Sequence, residues 1–242
     1  MIGCRCEVCR SADEKDKRLR SSILVQSANT NLVVDTGPDF RYQMLRKQIS
    51  KLDAVVFTHP HRDHIAGLDD IRAYNYFQQR PIDVYADSLT EEALRRDFYY
   101  AFSDTRYPGL PELNMHTITG DPFHIADIPV QPVPVWHLKM PVMGFRFGAI
   151  TYITDANRID SPSKDLIRGS RVLILNALRQ ERHVSHFSLP EAIALVEELE
   201  IPVAYFTHIS HQLGLHRAVS KTLPEGMYLS YDGLKITADN FD

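Results

Sequence analysis

The chain has 242 residues, a formal net charge of −4, and 44% hydrophobic and 24% charged residues. These values fit one soluble globular domain spanning 1–242 with a sizeable core, and they exclude a disordered or low-complexity chain. No apolar run is long enough to span a membrane, the start Met1-Ile2-Gly3-Cys4 has no signal-peptide core, so a cytoplasmic location is expected, and the acidic balance argues against strong non-specific nucleic-acid binding, which needs a basic face.

All three cysteines fall at the start, as Cys4-Arg5-Cys6-Glu7-Val8-Cys9. An odd count at this tight spacing points to a metal rather than to disulfides. Structural zinc takes four ligands, so one must come from elsewhere, and His211 is the candidate. The basic run Lys15-Asp16-Lys17-Arg18-Leu19-Arg20 reads as a solvated loop. Segments 22–26 and 31–35 read as a hairpin through Ala28-Asn29-Thr30. Asp35 closes the second strand and begins Asp-Thr-Gly, where an Asx-turn is one reading. A helix is expected after Pro38, then the apolar strand Asp53-Ala54-Val55-Val56-Phe57.

That strand runs into Thr58-His59-Pro60-His61-Arg62-Asp63-His64. The run sets three imidazoles and a carboxylate behind one strand end, and His with Asp suits Zn, Mn or Fe rather than Ca or Mg. Residues 67–79 read as a helix, with Leu68, Ile71 and Tyr74 at helical spacing. Ser88-Leu89-Thr90-Glu91 is a capping-box pattern that opens a helix over 92–100. The aromatic stretch 98–109 reads as a helix end packed on the core, with a lid or dimer surface as the functional alternative, to which Tyr74, Tyr76 and Phe77 could add. Three further donors each follow an apolar strand: His137 after Val130-Gln131-Pro132-Val133-Pro134-Val135-Trp136, Asp155 after 149–154, and His208 after 203–207. A βα loop would present each at a sheet edge. Ser188-Leu189-Pro190-Glu191 is a second capping box, opening a helix over 192–199 that must stop near Pro202. Tyr231-Asp232-Gly233-Leu234 reads as a tight hairpin turn.

The pattern H-x-H-x-D-H at 59–64, followed in order by His137, Asp155 and His208, resembles the metallo-β-lactamase superfamily. The resemblance implies an α/β fold, an αββα sandwich with ligands at one edge of two packed sheets. It implies that His59, His61 and His137 hold one metal, that Asp63, His64 and His208 hold the other, and that Asp155 bridges both. It also implies that Asp35 orients a ligand histidine through its second ring nitrogen, so this reading stands beside the Asx-turn. Two metals about 3.5–4 Å apart lower the pKa of a bridging water and neutralise charge on a phosphoryl or carbonyl oxygen. Only two of these ligands are carboxylates, so the site keeps net positive charge and favours an anionic substrate.

The entry Gly3-Cys4-x-Cys6-x2-Cys9, together with His208-x2-His211, narrows the resemblance to the phosphoribosyl 1,2-cyclic phosphate phosphodiesterase family. In that family the three cysteines and the second histidine of the pair hold a structural zinc, which would also fix the loop that carries His208. His186, just before a helix, matches a non-ligand histidine that protonates the leaving alkoxide or stabilises the transition state; a loop histidine that helps cap the helix is the alternative. His186 and Asp63 are therefore the expected catalytic residues. His183 is a weaker candidate, and His116, His124 and His216 have no constellation. Arg41, Arg72 and Arg106 are candidates to grip a second phosphate. Family members begin with a strand and a Thr-Gly-Thr segment, whereas this chain starts almost on its Gly-Cys motif, so either its start is truncated or this branch lacks the first edge strand, whose loss would leave a neighbour open to pairing.

The expected function is a dinuclear phosphodiesterase. It would open a small cyclic phosphodiester, of the phosphoribosyl cyclic phosphate or cyclic nucleotide type, by metal-hydroxide attack. The expected cofactors are two divalent ions, Mn or Zn, at the active site and one structural Zn. The resemblance also implies a homodimer. A tRNA 3′-end endonuclease shares the seven ligands but usually carries a long exosite arm, and no such Gly/Pro-rich insertion is seen here. A thioester or lactone hydrolase would use the same metal site on a carbonyl. A redox di-iron protein fits poorly, because those relatives typically have Glu where His61 stands.

Overall fold

The computed structural model describes residues 1–103 and 108–237. The chain divides into two compact units, Arg20–Pro132 and Met1–Leu19 with Val133–Asp242.

The first unit runs β1 (Ile23–Gln26), β2 (Asn31–Val34), α1 (Phe40–Lys47), β3 (Ala54–Val56), α2 (Arg62–Ile65), α3 (Arg72–Gln78), β4 (Ile82–Ala86), α4 (Ser88–Asp97), β5 (Leu113–Thr117) and β6 (Phe123–Ile125). Its sheet has the order β1-β2-β3-β4-β5. The β1–β2 hairpin is antiparallel, with Ile23 opposite Val34, and β2, β3, β4 and β5 are mutually parallel. Central parallel strands are covered on both faces, which is why β3 is a continuous buried Ala-Val-Val run without alternation. Phe40, Phe57, Ile65, Leu68, Ile71 and Leu94 fill this unit's core.

Two expectations need correction here. The 67–79 segment is not one helix: a 3-10 turn over Leu68–Ile71 precedes α3. In that turn the buried Leu68 and Ile71 eclipse, so both reach the core from one face. The helix at 88 starts earlier than the Ser88 pattern predicts. Asp87 is its cap, accepting from the Thr90 amide at 2.8 Å, and Ser88 is already helical. Of the aromatic stretch, Phe98 is buried while Tyr99 is exposed, and Tyr100 donates to Asp69 at 2.8 Å; residues 104–107, including Arg106, lie outside the described residues.

Strand β7 (Ile128–His137) begins beside β6 and runs on into the second unit. There follow β8 (Met140–Phe147), β9 (Ile150–Ile153), α5 (Ser161–Ile167), β10 (Val172–Asn176), α6 (Leu189–Glu198), β11 (Val203–Thr207), α7 (His216–Val219) and β12 (Met227–Leu229). The strand order is β12-β11-β10-β9-β8-β7-β6. Strands β9 to β12 are parallel, so their C-terminal ends share an edge. Leu173, Leu175, Ala204 and Phe206 pack against Ala192, Leu195 and Val196 of α6. The capping box predicted for α6 is present, with Ser188 and Glu191 reciprocally bonded. At 231–234 the expected turn is present, closed by Leu234 N–H to Tyr231 C=O at 3.1 Å, and among the described residues no strand follows it. Among the described residues no helix is long and apolar enough to cross a membrane.

Candidate metal centres

In the first unit the pairing of Val34 with Val56 sets the ends of β2 and β3 side by side. Asp35 then leaves the sheet in a left-handed conformation, φ 64°. Its carboxylate is fully buried and takes three donors. Oδ1 accepts from the Thr58 amide at 2.8 Å, and Oδ2 accepts from the Thr58 hydroxyl at 2.8 Å and from His64 Nδ1 at 2.7 Å. A proton fixed on Nδ1 makes Nε2 the atom through which His64 could take a metal. The His59 ring lies 4.7 Å from that of His61 and 4.2 Å from that of His64, centroid to centroid. Asp63 is half-buried, with Arg20 Nη1 3.5 Å from Oδ2. The glycines of the neighbouring loops are required by contact: a Cβ on Gly37 would collide with the Asp63 carbonyl, and one on Gly67 with the Gly37 carbonyl. This close approach holds the Asp35 loop against the histidine cluster.

In the second unit His137 ends β7, and its Nδ1 donates to the Asp155 carbonyl at 2.9 Å, again leaving Nε2 as the atom that could take a metal. Asp155 and His208 follow β9 and β11, both left-handed, with φ 55° and 52°. Such conformations are sparsely populated for non-glycine residues and cluster at functional sites. Asp155 Oδ1 is 3.0 Å from His208 Nε2, and Oδ2 is 3.4 Å from His186 Nε2. His186 packs edge-on to His137 at 4.5 Å and stacks on His208 at 5.0 Å. Its Nδ1 faces Ser185 Oγ at 3.1 Å and His183 Nδ1 at 3.3 Å. Capping of α6 falls to Ser188 and Glu191, not to His186. The His183 imidazole is held below its ordinary pKa, by burial first and then by His186 and Arg179.

The same unit gathers the cysteines. Cys4 Sγ and Cys6 Sγ lie 3.5 and 3.4 Å from His211 Nδ1, and the ligand atoms of Cys4, Cys6, Cys9 and His211 all fall within 4.8 Å of one another. The Cys6 thiol is lowered to about 6, chiefly by the Cys9 amide N–H and then by His211, so thiolate is present near neutral pH. Three sulfurs and an imidazole at this spacing suit tetrahedral zinc.

Two positions carry the sites without having been read from the sequence. Thr58 links Asp35 to His59, its hydroxyl lying 2.9 Å from His59 Nδ1. Asn176, at the end of β10, bonds both the amide and the carbonyl of Ala156, at 2.8 and 2.9 Å, and so fixes the residue after Asp155. The only signal for Asn176 was a polar residue closing the apolar Val172-Leu173-Ile174-Leu175. The remaining candidates sit elsewhere. Arg41 and Arg72 pair with Asp70 and Asp69 at 3.7 and 3.5 Å, His116 with Asp83 at 3.0 Å, and His216 with Arg18 at 3.1 Å.

Sheets of parallel strands with His and Asp donors at their strand ends, beside a separate cysteine-rich site, have the make-up of a metal-dependent hydrolase. The chain belongs to the beta-lactamase superfamily, whose domain profile matches residues 30–209, and its fold is of the metallo-β-lactamase type. A crystal structure of a diphosphatase from the PhnP family superposes with a TM-score of 0.91 at 38% identity, covering 98% of this chain and 91% of that one. The chain is 36% identical over 241 residues to the octanoyltransferase of Porphyromonas gingivalis (strain ATCC BAA-308 / W83), covering 98% of this chain and 49% of that protein. It is 31% identical over 117 residues to the ribonuclease Z of Acaryochloris marina (strain MBIC 11017), covering 46% of this chain and 36% of that protein. The chain thus spans half or less of the length of these two relatives.

Proposed function

We propose that the two units work as a single hydrolase domain, a dinuclear phosphodiesterase acting on a small anionic phosphoryl substrate of the cyclic phosphodiester class. In this reading His59, His61 and His137 hold one divalent ion, Mn or Zn, Asp63, His64 and His208 hold the other, and Asp155 bridges. Cys4, Cys6, Cys9 and His211 hold a structural zinc. The donor chemistry fits: His64 and His137 are each tied through Nδ1 to a protein oxygen, which leaves Nε2 as the coordinating atom. When bound, the two ions would supply a water of lowered pKa and neutralise charge on the phosphoryl oxygens.

The observation that carries the reading is His186, whose Nε2 lies 3.4 Å from Asp155 Oδ2 among the donors of the second unit. The carboxylate can only accept, so that contact needs a proton on Nε2, while the Ser185 hydroxyl beside Nδ1 can accept a second one. As the imidazolium, His186 gives its Nε2 proton to the leaving oxygen and is left neutral with its proton on Nδ1, and Asp155 stabilises the cation before transfer. A small phosphoryl substrate is supported by the likeness to the PhnP-family diphosphatase over nearly the whole chain. A cytoplasmic homodimer belongs to the same proposal.

Hydrolysis of an acyl thioester is the second reading, favoured by the octanoyltransferase name of a relative that aligns with 98% of this chain. The test sets the Mn-loaded protein against 5-phosphoribosyl 1,2-cyclic phosphate, a diphosphate, a 3′-extended precursor tRNA and an octanoyl thioester. Rapid opening of the cyclic phosphate is expected. Turnover of only the tRNA or the thioester would keep the metal site and discard the substrate class.

A further inference from the structure

The hydrolytic scheme makes no use of the buried hydroxyl of Thr58, 1% exposed between Asp35 and His59, which are both at 0%. Its proton accounting is closed. Asp35 Oδ2 lies 2.8 Å from Thr58 Oγ1, and a carboxylate can only accept, so the single hydroxyl proton points to Asp35. The contact from Thr58 Oγ1 to His59 Nδ1, 2.9 Å, must then be filled by a proton on Nδ1. On the other side, His64 Nδ1 donates to the same Oδ2 at 2.7 Å.

We infer that Thr58 is a positioning residue, a hydroxyl relay through which one buried carboxylate sets the tautomer of two metal-donor histidines. Asp35 orders His64 directly and His59 through Thr58, so both rings offer Nε2 as the ligand atom. A pair of adjacent imidazoles in the wrong tautomer would point N–H groups at the cation. The inference uses the reading of His59 and His64 as metal donors and is independent of the substrate.

The test needs no turnover. In metal-free protein labelled at the histidine nitrogens, long-range proton–nitrogen correlation distinguishes Nδ1–H from Nε2–H imidazole. His59 and His64 are both expected as Nδ1–H. In Thr58→Val, His59 is expected to lose that signature and Zn2+ affinity, measured against a competing chelator, to fall about 10–100-fold. His64 keeps its tautomer. Thr58→Ser, which retains the hydroxyl, is expected to restore both readouts, which a merely space-filling role would not require. An Nε2–H His59 in the wild type overturns the relay, and so do unchanged tautomer and Zn2+ affinity in Thr58→Val. If the valine variant does not fold, the wild-type spectrum and Thr58→Ser still decide the question: loss of the Nδ1–H signature in the serine variant overturns it. A protein inert towards every phosphoryl substrate would sink the proposed activity and leave these measurements standing.

Discussion

Asp155 is the residue on which the second unit's donors converge. Its carbonyl receives His137 Nδ1, one carboxylate oxygen faces His208, and the other faces His186. His186 touches the same carboxylate but has Ser185 and His183 on its other nitrogen. The two residues therefore respond differently to truncation. Asp155→Ala is expected to lose at least one active-site metal per chain by elemental analysis. His186→Ala is expected to keep its metal and lose about 10²–10⁴-fold in turnover, the usual worth of a positioned general acid. Full occupancy in the first variant rules out the bridging role; metal loss in the second makes His186 a ligand. The donors were legible in the sequence because each closes or follows an apolar strand, and a strand end fixes where the next side chain goes. Thr58 and Asn176 were not, since a hydroxyl or amide shows its role only once its partners across the fold are known. Asp35 stood between two readings, and the choice needed the distance to His64.

At the scale of elements, strand ends were read well and helix starts less so. Both Asp87 and Ser88 are good caps, and the sequence offers no local reason to prefer the first; the buried Thr90, whose amide Asp87 receives, decides it. The N-terminal segment shows the same dependence on distant partners. Its basic run reads as a loop, yet Arg18 Nη2 donates to His216 Nδ1 at 3.1 Å, and Asp16 accepts the His216 amide at 2.7 Å at the start of α7. Arginine has only protons to offer, so His216 Nδ1 must stay unprotonated. Its pKa is held below the ordinary 6.5, by burial first, then by Arg18 and Lys15, with Asp13 and Asp16 opposing. A histidine depressed in the folded state favours the neutral form there. Its contribution is complete above the unfolded pKa and is lost as pH falls through about 6.5 towards the folded value. Between about pH 7.5 and 5.5 the urea midpoint of the wild type should therefore drop more than that of His216→Asn, whose side-chain oxygen can accept from Arg18 at either pH. Equal drops in the two proteins would remove His216 as a source of acid sensitivity.

At the scale of the molecule, the second unit is discontinuous, assembled from Met1–Leu19 and Val133–Asp242. The cysteine spacing pointed to a metal site in the sequence, and the spacing from His208 marked His211 as the candidate fourth donor. That the N-terminal segment belongs with the distant half of the chain was legible only through the expected pairing of the cysteines with His211, because no local pattern encodes a contact between Cys6 and His211, 205 residues apart. A cross-link that closes a loop of this length is worth on the order of 5 kcal/mol in the chain-entropy treatment, provided the bound metal resists dissociation. For a chain of this size about 2–4 °C of thermal midpoint goes with each kcal/mol. His211→Ala is therefore expected to lower the midpoint by about 10 °C or more and to remove one zinc per chain. His208→Ala, three positions away on the same loop, should lose active-site metal while keeping the sulfur-bound zinc. Because ligand binding to the native state stabilises by mass action, added zinc should raise the midpoint of the metal-free wild type further than that of His211→Ala. The variant outcome that defeats the assignment is an unchanged midpoint with full zinc content in His211→Ala. The segment would then be held by contacts such as those of Arg18, Asp16 and Leu19, and the three thiols would need another partner.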